Sequence, residues 1–240
     1  MKSTGEQLKN RGFAFEEDIE LYKNYGENEL LELLHNQDAF KRTIAIRLLS
    51  AGLKEKYIPL FCEMLKNEKK LYTKIELQRT LAKYGEKSIP HLIPLLGTIG
   101  NNQHRKAEIL DINKKSYPCP RDVVGMVLIR IGPEVFHGLK TIILENKDMN
   151  QIPEAIDVIG HITWNYKNYE MENTLVDYFS RNRGNEFLEW KLVRAFQSFN
   201  SMKIKTLLEN VIKEHKSKIM VTEAKRSINR IENRMQNLPS

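Results

Sequence analysis

Glycine recurs in this chain at the end of one apolar pattern and the start of the next. Gly52 ends AIRLLSAG, Gly85 ends LQRTLAKYG and Gly132 ends VLIRIG. Each is followed by a second apolar stretch: YIPLFCEML, SIPHLIPLL and FHGLKTIIL. Gly52 and Gly85 stand 33 residues apart. A repeat of this length constrains the fold more than any other feature. Each unit is one supersecondary element that cannot bury its apolar face alone and must stack on its neighbours.

The punctuation has a physical reason. A helix commonly ends on a residue in the left-handed region, which glycine enters without a Cβ penalty and asparagine enters with less difficulty than most. In the C-terminal half Asn165, Asn200 and Asn233 take the equivalent places, at steps of 33, 35 and 33 residues from Gly132. Gly26, closing DIELYKNYG ahead of NELLELLHN, does so at the other end. Between these points the apolar residues follow helical i, i+3, i+4 spacing, as in Ile44, Leu48 and Ala51, or Leu188, Leu192, Ala195, Phe196 and Phe199. No segment alternates with the period of a strand. Pro59, Pro90 and Pro133 fall where a first turn tolerates proline, whereas Pro94 sits deeper and is expected to kink or delay its helix.

A first helix ending in a small residue and glycine, then a second of the form I-P-x-L-x-x-L-L, resembles the HEAT-like repeat family, including the short bacterial form also found in phycobilin lyases. The resemblance covers roughly residues 14–235 and is strongest over 38–97. It implies an all-α solenoid, a right-handed superhelix of about six to seven antiparallel helix pairs forming a single domain over 1–240, whose curved surface binds a partner. One interval departs from the pattern. Gly85 and Gly132 are 47 residues apart, which places about 14 extra residues within TIGNNQHRKAEILDINKKSYPCPRD, an inserted loop at about 98–120. Insertions in repeat proteins map to loops on one face, often the binding face.

That insertion supplies the candidate partner-binding residues: Arg105, Lys106, Lys114, Lys115, Tyr117 and Arg121. Cations beside an aromatic ring suit phosphate neutralisation and base stacking. The competing reading is a solvated loop stiffened by Pro118 and Pro120. A second basic region, HKSKIMVTEAKRSINRIENRM, reads as the polar outer face of a terminal repeat or as a nucleic-acid contact. Arg47, Arg79 and Arg194 recur near one point of their first helices and are expected to bridge repeats or cover apolar surface. Aligned on the punctuation, the second helices give one column of Glu63, Pro94, Thr141, Asp177 and Glu209 and a mixed neighbouring column, which is no continuous phosphate-binding stripe.

Composition narrows the rest. The net charge of +7 suits nucleic acid or an acidic membrane, and equally suits simple solubility. The N-terminal residues lack the apolar stretch of a secretory signal and no run approaches a membrane span, so a cytoplasmic protein without membrane contact is expected. Cys62 and Cys119 give neither a disulfide framework nor paired metal-ligand spacing. The six histidines form no H-E-x-x-H pair, and no phosphate loop or G-x-S-x-G elbow is present, so no catalytic residue, cofactor or metal is assigned. Asp157, His161 and Trp164 share a helix face and read as core or groove-edge residues sooner than as a site. The sequence thus points to a non-enzymatic scaffold for a protein partner. The alternative is a nucleic-acid-binding protein using the basic loop and C-terminal helix, by analogy with the alkylpurine DNA glycosylases, which are also HEAT-like. A small-ligand binder with a pocket near His161 and Trp164 comes third.

Overall fold

The computed structural model describes residues 3–109, 116–145 and 148–236. Among these residues there are fourteen α-helices, several short 3-10 turns and no strand. The chain divides into two compact units, Met1–Pro94 and Leu95–Ser240.

The first unit contains α1 (Gly5–Asn10), α2 (Glu16–Glu20), α3 (Glu27–Leu33), α4 (Ala39–Ser50), α5 (Ile58–Asn67), α6 (Leu71–Lys83) and α7 (Ile89–Leu92). Helix α4 packs on α3 and α6, and α5 packs on α6 and α7. The helical spacing of the apolar residues accounts for this: Ile44, Phe61, Leu65, Leu77 and Leu81 are all fully buried at the contacts. Each such side chain contributes about 1.5–3 kcal/mol relative to exposure. Polar bonds then fix the helices to one another. Arg42 grips both oxygens of Glu68 at 2.9 Å, and Arg47 Nε donates to Glu76 at 2.9 Å, joining α4 to α6 as a bridging arginine should. The chain after α1 docks through Gly12 (φ +91°), whose carbonyl accepts from the buried Thr43 hydroxyl at 2.7 Å. Pro94 acts as expected: α7 stops at Leu92 and a 3-10 turn follows, since proline has no N–H to continue the ladder.

The second unit contains α8 (Gly125–Ile131), α9 (Phe136–Glu145), α10 (Gln151–Tyr166), α11 (Glu172–Arg181), α12 (Glu186–Phe196), α13 (Met202–Glu214) and α14 (Lys218–Gln236). Helix α10 packs on α8 and α12, and α12 packs on α14. The intervening helices lie against them, α9 on α10 and α11, α11 on α12, and α13 on α14. Every residue of α10 from Gln151 to Gly160 is buried, so this stretch of the helix is covered on all sides, whereas Asn165 and Tyr166 at its end are exposed.

The punctuation residues behave unequally. Gly85 takes φ +56° and Gly132 φ +109°, both inaccessible to most side chains without strain. Gly52 stays outside the left-handed region, and Leu53 beside it takes φ +45°. The left-handed cap expected at Asn165 falls two residues later, at Lys167 (φ +56°), because α10 runs on to Tyr166. Gly26 has φ −70° and begins α3, Asn200 is not left-handed, and Asn233 lies inside α14. Gly85→Val is expected to destabilise the protein by about 1 kcal/mol or more through backbone strain alone, because a Cβ at this position would meet nothing within 4 Å. Denaturant melting checks this, and an unchanged midpoint would mean that the left-handed conformation is not needed at that turn.

Candidate functional site

The insertion is tied down on the second unit. Asp122, buried between Gly97 and α8, accepts from the Gly97 N–H at 3.2 Å, the Gly125 N–H at 2.7 Å and Gln103 Nε2 at 3.0 Å. Gly97 (φ +75°) lies so close to Asn150 that a Cβ would stand 2.1 Å from its carbonyl oxygen. His104 is buried edge-on against Trp190, ring centroids 5.1 Å apart, with Nδ1 3.0 Å from Glu108. Tyr117 lies over Gly160 of α10, edge-on to His161 at 6.1 Å and tilted to Trp164 at 6.3 Å. His161 Nδ1 lies 3.3 Å from the Pro118 carbonyl. The described parts of the insertion therefore form a strap that buries α10 and α12.

This placement corrects one expectation. Tyr117 is 2% exposed, so its ring packs on α10 and is not presented for stacking on a base. Arg105 is exposed but donates to Asn150 Oδ1 at 2.9 Å. Lys106 and Arg121 are exposed on the strap. Lys114 and Lys115 lie outside the described residues.

Beneath the strap is a charged centre that sequence reading passed over. Lys191 of α12 is fully buried, with Nζ 2.6 Å from Asp157 Oδ2 and 3.3 Å from Glu154 Oε1, two carboxylates one turn apart on α10. Arg194, one turn further along α12, is 2% exposed and lies 5.1 Å over the Trp190 ring. Burial pushes the Glu154 carboxyl up to about 7, against the attraction of Lys191 and with Asp157 adding to the rise. Burial also works against the Asp157 charge, but Lys191 and Arg194 outweigh it and hold that carboxyl below its ordinary value. The available signals were Lys191 inside the apolar run FLEWKLVRAF and two acids inside IPEAIDVIG. Asp157 serves Lys191 sooner than the His161 and Trp164 that share its helix face.

A pH dependence follows. The Glu154 carboxyl is raised on folding, so its contribution to stability is complete below the unfolded value near 4.5 and is lost as pH rises through about 7. Glu154→Gln is expected to flatten the stability profile between these values, while burial of His104 and His161, which lowers both, works in the opposite sense in each protein. Urea melts of both proteins across that range would show it, and parallel profiles would contradict it.

The basic C-terminal helix is partly committed to structure. Arg234 donates to the carbonyls of Gln197, Ser198 (2.9 Å) and Phe199 (3.3 Å) beyond the end of α12, and stacks 4.3 Å over Trp164. Arg226 is bonded to Glu223. Lys216, Lys218 and Lys225 remain exposed.

Both units also carry open grooves beside second helices. In the first, a groove of about 450 Å³ between the C-terminal end of α3 and α5 has Leu34, Leu60 and Met64 as its apolar floor. In the second, one of about 450 Å³ between α11 and α13 is floored by Val176, Phe179 and Leu207, with Arg183 and Lys203 along it. Among the described residues, no three metal-ligating side chains converge, and no helix is long and apolar enough to cross a membrane.

The sequence matches no protein-family model and no curated protein. Two crystal structures described as engineered proteins share 15% identity over 86% of this chain, spanning 96% and 98% of theirs, each with a TM-score of 0.39.

Proposed function

We propose that this chain is a HEAT-like helical-repeat scaffold that binds a protein partner along its second helices and performs no chemistry of its own. The observation that carries this reading is the pair of open apolar grooves, one between α3 and α5 and one between α11 and α13. Helical partners commonly lay their apolar side chains into such grooves. The regular alternation of first and second helices in the second unit supports the repeat reading. The cations available to a nucleic-acid surface are thinned by structural duties: Arg105, Arg226 and Arg234 are all bonded within the protein.

Cross-linked capture from the source cells tests the proposal, comparing the wild-type chain with Met64→Asp and Leu207→Asp, which place a charge on half-buried groove positions. A partner retained by the wild type and lost from one folded variant supports it. Equal capture by all three, or turnover of a substrate by the purified protein, overturns it.

A further inference from the structure

We infer that the groove between α3 and α5 receives an acidic segment of the partner protein that carries apolar anchor residues, an inference that rests on the scaffold reading above. The floor of Leu34, Leu60 and Met64 supplies the apolar half of the argument. Leu60 and Met64 are half-buried one turn apart on α5, and the unbranched thioether of Met64 adapts to differently shaped side chains. At about 450 Å³ the groove falls within the roughly 300–1,000 Å³ of concave ligand sites.

Charge matching supplies the other half. Two carboxylates line the groove, and each is already neutralised from within. Glu63 is bonded by Lys66 at 2.8 Å and by Asn67 at 2.9 Å. Glu68 takes the Arg42 fork at 2.9 Å and the backbone N–H groups of Lys69 and Lys70 at 2.9 and 2.8 Å. These bonds, led against its burial by the Arg42 fork, hold the Glu68 carboxyl below its usual range. Lys69 and Lys70 are different. Both residues line the groove and are exposed, and among the described residues neither ammonium group takes part in an ion pair. The groove thus presents two unmatched cations next to an apolar floor whose own acids are satisfied. A basic partner would meet repulsion there, and an uncharged one would gain no attraction from the two ammonium groups. A partner with carboxylates flanking leucine-like anchors answers both features.

The test uses labelled amphipathic peptides of leucine and glutamate, with counterparts bearing glutamine or lysine in place of glutamate, titrated by fluorescence anisotropy. The proteins are the wild type, Lys69→Glu with Lys70→Glu, and Met64→Asp. The double variant is expected to keep the fold, because both substitutions fall on exposed side chains at the N-terminus of α6, where negative charge is favourable, and Arg42 holds the neighbouring Glu68. Thermal melting verifies this for both variants. The expected result is that the glutamate peptide binds the wild type, loses affinity about tenfold or more with the double variant and weakens with added salt. The lysine peptide should then prefer the double variant, and Met64→Asp should abolish binding of the glutamate peptide. If the glutamate peptide binds all three proteins equally, its site is elsewhere and the inference falls while the scaffold reading stands. Equal binding of the glutamine and glutamate peptides overturns the acidic character of the partner. If no peptide binds but captured partner depends on Met64, the groove is right and this chemistry is wrong. If capture fails as well, the scaffold reading falls with it.

Discussion

Lys191→Met is expected to lower the stability of the second unit by about 3–5 kcal/mol at neutral pH, the cost typical of removing one partner from a buried ion pair. Methionine nearly preserves the volume and the aliphatic stem, so packing changes little. What is lost, among the described residues, is the only ammonium bonded to Asp157 and Glu154, which are 2% and 1% exposed. Arg194 still attracts the Asp157 charge but is not hydrogen-bonded to it, and its own Nε and Nη1 are already unpaired. The loss should shrink in acid. Without Lys191 both carboxyls rise in the folded state, and once the pH falls below their unfolded values near 4 they are protonated whether folded or not. Lys191→Met with Asp157→Asn should recover a large part of the deficit, because a neutral pair leaves less charge buried. Both tryptophans, Trp164 and Trp190, belong to the second unit, so their fluorescence in urea follows the relevant transition. A deficit below about 1 kcal/mol at neutral pH would mean that Asp157 and Glu154 do not depend on Lys191.

What the sequence revealed and what it hid divide along a physical line. Helical spacing revealed the all-helical content, because i, i+3, i+4 recurrence has one structural meaning over a dozen residues. Proline and glycine also marked Pro94 as a kink or delay in its helix and Gly85 as a left-handed end, since both depend on local backbone sterics. The asparagine punctuation failed for a related reason. Asparagine only tolerates the left-handed region, so Asn165 and Asn233 could remain inside helices that packing prolonged. The strap was misread because its composition is that of a solvated loop. Its burial depends on partners far along the chain: Tyr117 on Gly160, His104 on Trp190, and Asp122 on the backbone of Gly97. The charged centre stayed hidden because a buried lysine and its acids pair with one another through space, from positions 34 and 37 residues apart. Periodicity marks those positions as inward-facing and says nothing of what they meet there.

Gly160 is where the strap can be tested most cleanly. It lies inside α10, where alanine would ordinarily stabilise a helix by up to about 1 kcal/mol. Here the added Cβ would stand 2.2 Å from the Tyr117 hydroxyl and 2.6 Å from the ring carbon bearing it. Either the aromatic ring leaves its bed or α10 shifts against α8 and α12, with which it packs. Displacing the ring forfeits the burial of a large side chain, so Gly160→Ala is expected to cost about 2–3 kcal/mol in spite of the better helix former. Trp164, 6.3 Å from Tyr117, should report the movement as a change in emission before unfolding. The decisive comparison is the double-mutant cycle. In a Tyr117→Ala background the clash is gone, and Gly160→Ala should then be neutral or stabilising, giving a coupling of about 2–3 kcal/mol between two residues 43 positions apart. Additive costs would show that Tyr117 does not rest on Gly160 in solution. The strap would then be held on α10 without the Tyr117 ring, through contacts such as that of Pro118 with His161.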